Sequence, residues 1–235
     1  MEPLTEINKR NAITTSLCFI VAAVTSIVGK LLYAPVLADP DYLTTGFLHS
    51  DQVVLGAVFE LILATAAVGT GIFMYPILRK VDESLGLGYV IFRTLEVVFI
   101  LVGLVGVLAL ITLSKSFTAS STPDYKHFHS IGEVLKGVHD WAFILGPNFM
   151  LGINTFVYSF IFYRSALLPR KIALLGLVAA ILICVASLLE LFGVIQQVSV
   201  AGFLFALPIF IYEMIVAIWL LSKGFGLKHG HLISF

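Results

Sequence analysis

A chain of 235 residues has room for one or two domains, but 59% of its residues are apolar, 12% are charged and its mean hydropathy is +1.03. That composition excludes a soluble globular domain. Fourteen Lys and Arg balance fourteen Asp and Glu, so no basic face for nucleic acid or another polyanion is expected. The two cysteines, Cys18 and Cys184, sit in apolar runs and point neither to a disulfide framework nor to a thiolate metal site.

A spanning helix needs about 20 mostly apolar residues. Six stretches meet that requirement, roughly 12–38, 52–78, 88–113, 138–163, 170–195 and 199–223. They predict an all-α polytopic membrane protein, a six-helix bundle in which residues 1–235 form a single transmembrane domain. The first stretch is too long for the apolar core of a signal peptide and no small-x-small site follows it, so it is expected to remain as a helix. Asp39-Pro40-Asp41 ends it. Leu85-Gly86-Leu87-Gly88 precedes the third span, Ser120 to Asp124 breaks an outer loop over 114–137, and Leu168-Pro169 opens the fifth. Within that loop, Ser130 to Gly137 could form a short interfacial helix.

Basic residues set the orientation. Lys9, Arg10, Arg79, Lys80, Arg164, Arg170, Lys171, Lys223 and Lys228 fall on one side, and only Lys115, Lys126 and Lys136 on the other. Positive charge is retained on the cytoplasmic side, so both termini are expected to be cytoplasmic in a cell membrane. Tyr33, Tyr75, Tyr158, Tyr163 and Trp219 lie near span ends and read as an interfacial aromatic belt. Gly103, Gly106, Pro147 and Pro208 read as packing and kink positions.

Charges inside the bilayer carry the functional argument, because each costs at least about 2.5 kcal/mol unless paired or wet. Lys30, Glu60, Arg93, Glu96, Glu190 and Glu213 fall within spans, two bases against four acids. Asn148 and Asn154 join them in the fourth span. A rise of about 1.5 Å per residue places Lys30, Glu60 and Glu190 in an outer layer, Arg93 and Glu96 in an inner one, and Glu213 with the two asparagines near the midplane. Arg93 and Glu96 are three residues apart and share a helix face. They make either a structural ion pair or a clamp in which Arg93 holds a carboxylate or phosphate. Glu60 lies in a row with Gly56, Ala64, Ala67, Gly71 and Tyr75 at three- or four-residue spacing, mostly small residues that suit close helix packing; it is either a partner of Lys30 or a proton-carrying carboxyl.

Outer histidines offer another chemistry. His127, His129, His139 and Asp140, with His49, Asp124 and Glu133 nearby in sequence, could supply zinc ligands, although their spacing matches no metalloprotease motif. Haem finds no second intramembrane histidine to pair with His139. His229 and His231 belong to a polar tail. Nucleotide loops, a nucleophile elbow and kinase motifs are absent from the sequence.

Three segments carry a family resemblance: Tyr89 to Glu96 with its Arg-x-x-Glu, Tyr163-Arg164-Ser165 with Leu168-Pro169-Arg170 and Leu174-Leu175-Gly176, and Glu213 followed by Trp219-Leu220-Leu221 and Lys223-Gly224. With them the chain resembles a bacterial integral membrane family catalogued as domain of unknown function 4386. The resemblance implies a six-helix bundle in which Arg93, Glu96 and Glu213 occupy recurrent polar positions; it implies no reaction, substrate or cofactor.

Three functions are compatible with these residues. The first is binding or transport of a small anionic molecule or lipid in a polar intramembrane cavity, with Arg93, Glu96, Glu213, Asn148 and Asn154 as ligand contacts and Lys30, Glu60 and Glu190 as charge or proton partners. The second is an intramembrane enzyme on a lipid-like substrate, with His139, Asp140, Glu60 and Glu190 as an acid/base or zinc centre. The third is a structural or regulatory partner of another membrane protein. Membrane lipids and a small-molecule ligand are the expected partners, nucleic acid is not, and no cofactor beyond that zinc is expected.

Overall fold

The structure, a computed structural model, describes residues 2–226. Six long helices make up almost all of it: α1 (Glu2–Leu32), α2 (Ser50–Leu78), α3 (Glu83–Ala119), α4 (Tyr125–Ser165), α5 (Arg170–Leu191) and α6 (Val200–Lys223). All six are long and apolar enough to cross a membrane, and no strand occurs among the described residues. Each helix packs on its neighbour in sequence and α6 returns to α1, so the bundle is a closed ring. The seam is fastened where the Ser16 hydroxyl donates to the Ala217 carbonyl at 2.7 Å. The outer faces are apolar: Leu31, Ile72, Val105 and Ile218 are all exposed, as a bilayer solvent demands.

Helix ends follow local chemistry. Asp82, Asp124 and Ser199 cap α3, α4 and α6 by accepting backbone N–H bonds from Leu85, His127 and Gly202. After α4, Ala166 turns into the left-handed region at φ 56° and Pro169 leads into α5. Between α1 and α2, the Asp39 carboxylate accepts the Asp41 N–H at 2.8 Å and the Thr45 hydroxyl at 2.8 Å. Those two donors hold its carboxyl below the usual range.

Several expectations need correction. The outer loop over 114–137 is helix on both sides of a short connection at 120–124, so α3 runs for 37 residues and Ser130 to Gly137 is the interior of α4. That gives α3 a length of about 55 Å against a hydrocarbon core of about 30 Å. The extra turns bury their own apolar cluster around Tyr42, Leu43, Val107 and Leu110 with the segment after α1. Leu85 to Gly88 belongs to the first turns of α3 rather than to a loop. A Cβ on Gly86 would lie 3.0 Å from the Arg79 nitrogen, so this glycine serves a close backbone approach. The first span stops at Leu32 and the fifth at Leu191, short of the expected 38 and 195. Tyr33 and Tyr158 are buried, not part of a belt. Lys228, His229 and His231 lie outside the described residues.

Pro147 produces a wider turn where a kink was expected: Ile144–Met150 is π-helical within α4. Proline has no N–H to give to the α-pattern, and π segments of this kind concentrate at functional sites. Gly146 lets the segment come close to α3, since a Cβ there would lie 2.5 Å from the Phe99 Cβ and 3.1 Å from the Glu96 carbonyl.

Candidate functional site

All six helices contribute to one cavity of about 800 Å³. It lies between an apolar cluster containing Phe19, Tyr89, Tyr158 and Tyr212 at one end and the Tyr42 cluster at the other. Its lining includes Lys30, Glu60, Arg93, Glu96, Glu190 and Glu213, the six intramembrane charges read from the sequence, together with His139 and Asn148. Residues as distant as Lys30 and Glu213 meet there because alternate helices run in opposite directions around the ring.

Arg93 organises the floor. Its Nη1 donates to both oxygens of Glu96, at 2.9 and 3.2 Å, and its Nε donates to the Thr70 hydroxyl at 3.0 Å and the Ala67 carbonyl at 3.3 Å. Both members of the pair are buried, with side chains 4% and 6% exposed. Asn154 then donates to Glu96 Oε2 at 2.6 Å, and Thr70 accepts the Tyr89 hydroxyl at 3.0 Å. The Arg93 guanidinium carbon also lies 5.9 Å from the Phe19 ring centroid, within reach of a cation–π contact. Glu213 is further off, with Oε1 3.9 Å from Arg93 Nη1; that oxygen is buried and has no hydrogen-bond partner among the described residues. Arg93 Nη2 likewise has no hydrogen-bond partner among the described residues.

The upper layer is looser. Glu60 is half-buried at the α1–α2 seam, where a Cβ on Gly29 would lie 3.1 Å from its Oε1. Lys30 does not close onto it: the ammonium sits 4.7 Å above the Phe143 ring and forms no ion pair among the described residues. Glu190 is buried and accepts from Asn148 at 2.8 Å. The π segment supplies that asparagine, so the proline, the wide turn and the carboxylate form one local unit. Thr70, Tyr89 and Gly29 were missed by sequence reasoning. Thr70 did have a signal, lying three residues after Ala67 and beside Gly71, along the small-residue row that holds Glu60.

The outer histidines do not assemble as the zinc reading required. Among the described residues no group of three or more His, Cys, Asp or Glu side chains is placed to hold a metal. His139 Nδ1 lies 3.1 Å from Asp140 and its ring stands edge-on to Tyr33. His129 packs beside Tyr42 and Tyr125, and His127 beside Phe128. Aromatic packing along the helical extension of α4 separates residues that a flexible loop could have gathered.

Residues 14–224 match a protein family described as Domain of unknown function (DUF4386). The chain belongs to that family. The match takes in every residue of the DUF4386 cavity named above. No curated protein and no solved structure matches the chain.

Proposed function

We propose that this membrane protein binds, and through binding moves or sequesters, a small amphipathic molecule or lipid drawn from the bilayer. The observation that carries the reading is the cavity itself. Its volume of about 800 Å³ falls in the range of small-molecule sites, roughly 300–1,000 Å³, which combine apolar walls with a few convergent polar groups. Buried charges in a bundle that merely needed packing would be expected to pair off and exclude space; here an open volume separates the layers. We further propose that the bundle sits in the cell membrane with both termini cytoplasmic, in keeping with the basic residues at that end.

An anionic head is the part of the sequence reading the geometry favours least. Arg93 already spends Nε and Nη1 on protein acceptors, and an anion reaching Nη2 would approach Glu96 and Glu213. An experimental density map of the purified protein in lipid nanodiscs tests the reading. Elongated density reaching Arg93 is expected; a cavity holding only scattered water peaks would count against it.

A further inference from the structure

We infer that the ligand of this cavity is an amphiphile with an amine head, an ammonium group beside an oxygen acceptor, which enters from the bilayer between α1 and α6. The inference rests on the cavity reading above and adds the class of ligand. Four carboxylates and two bases, with His139, line the space, so with every carboxyl ionised and the histidine neutral a positively charged head offsets a formal excess of negative charge. The floor presents two unmet polar atoms close together. Arg93 Nη2 makes no hydrogen bond among the described residues, on a side chain 4% exposed, and Glu213 Oε1 is a buried acceptor without a partner among them. With Arg93 Nη1 and Glu213 Oε1 3.9 Å apart and the Glu213 side chain 16% exposed, an ammonium on the exposed edge of the carboxylate and a neighbouring oxygen on the guanidinium give both groups a partner. A phosphate or carboxylate head would satisfy Nη2 alone and face Glu213.

The route follows from exposure. Ile27 on α1 and Phe203 and Phe210 on α6 line the cavity, yet they are 51%, 63% and 41% exposed. A residue that is both lining and exposed marks an opening, and Val198 and Val200, at 80% and 78%, extend this one to the connection before α6. Phe203 and Phe210 are seven residues apart and share a helix face. The Ser16–Ala217 bond closes the seam between these two helices near the other end of each, so the gap lies beside the charged half. An alkyl chain resting on Ile27 and the two phenylalanines would leave its head at Glu213.

Binding of sphingosine, its uncharged N-acetyl derivative and dodecyl phosphate to the full-length chain in maltoside tests this by native mass spectrometry. Sphingosine is expected to bind about tenfold or more tightly than either competitor, the size of one charge-assisted bond. Glu213→Gln is expected to abolish that advantage while N-acetylsphingosine still binds. The ranking in wild type stands as a test even if the variant fails to fold. Equal binding of all three probes, or tightest binding of dodecyl phosphate, overturns the amine head and leaves the cavity reading standing; binding of none overturns both. In a Cys-free background, Ile27→Cys carrying a bulky maleimide adduct should slow sphingosine uptake, and unchanged uptake overturns entry between α1 and α6.

Discussion

Replacing Arg93 by leucine separates a structural pair from an ornamental one. Arg93→Leu leaves Glu96 buried with Asn154 Nδ2, at 2.6 Å, as its remaining partner, and removes the nearest cation from Glu213. Stranding one member of a buried pair costs about 3–5 kcal/mol. For a chain of this size each kcal/mol moves the midpoint by about 2–4 °C, so a loss of roughly 6–20 °C is expected. Adding Glu96→Leu removes the stranded charge of the pair but leaves Asn154 without its acceptor, Thr70 without the Arg93 donor and Glu213 without its nearest cation. Hydrogen bonds between membrane helices average about 0.6 kcal/mol and reach about 1.7, so the double variant should recover most of the loss and remain a few degrees below wild type. A third change, Asn154→Leu, should close most of that gap. Thermal unfolding followed by the fluorescence of Trp141 and Trp219 reads the series. A double variant no more stable than Arg93→Leu would refute the pairing argument.

Other consequences are as specific. At Gly152, a Cβ would collide with Cys184 Sγ and lie 3.2 Å from the Ala180 carbonyl; Gly152→Leu should lower stability by about 1–3 kcal/mol through overpacking, whereas Gly137→Ala, inside α4 with nothing near its Cβ, should raise it by up to about 1 kcal/mol through helix propensity. In a Cys-free background, Ser121→Cys should react with an impermeant thiol reagent from outside intact cells and Ser84→Cys should not; both positions are exposed, so the opposite pattern would invert the topology. Asp39 has a depressed carboxyl in the folded chain, so its contribution is present above the ordinary carboxylate pKa and is lost as pH falls through the folded value. Thr45→Ala should move its titration midpoint upward in a carboxyl-detected NMR titration.

Much of this arrangement was legible from residue types and spacing. Apolar runs located all six helices because a bilayer leaves the backbone no alternative to internal hydrogen bonding. The cost of intramembrane charge singled out the residues that line the cavity. The Arg93–Glu96 contact followed from a spacing of three. What escaped was whatever depends on a neighbouring helix. Thr70 looks like one more small residue in a seam until Tyr89 and Arg93 converge on it. Asn148 and Asn154 read equally as ligand contacts and as internal partners, and the fold uses them for Glu190 and Glu96. Residues 114–137 looked like a loop because Ser120 to Asp124 carry strong break signals and the flanking residues are polar. Polar helical turns outside the hydrocarbon are common enough, and only their packing against Tyr42 and Leu43 reveals them. Tyr33, just past the end of α1, and Tyr158, within α4, sit at belt-like positions but are buried in protein, a direction that position in a span does not determine.

Occupancy of the cavity is the most direct test of the account. Protein released from native membranes and weighed by native mass spectrometry should carry one amphiphile per chain in wild type. Ala206→Trp, which places a large side chain in the cavity lining, should lose it, while Ile218→Trp on the exposed outer face should keep it. Wild type that emerges bare, or an Ala206→Trp chain as fully loaded as wild type, would contradict the claim that this space exists to hold a ligand.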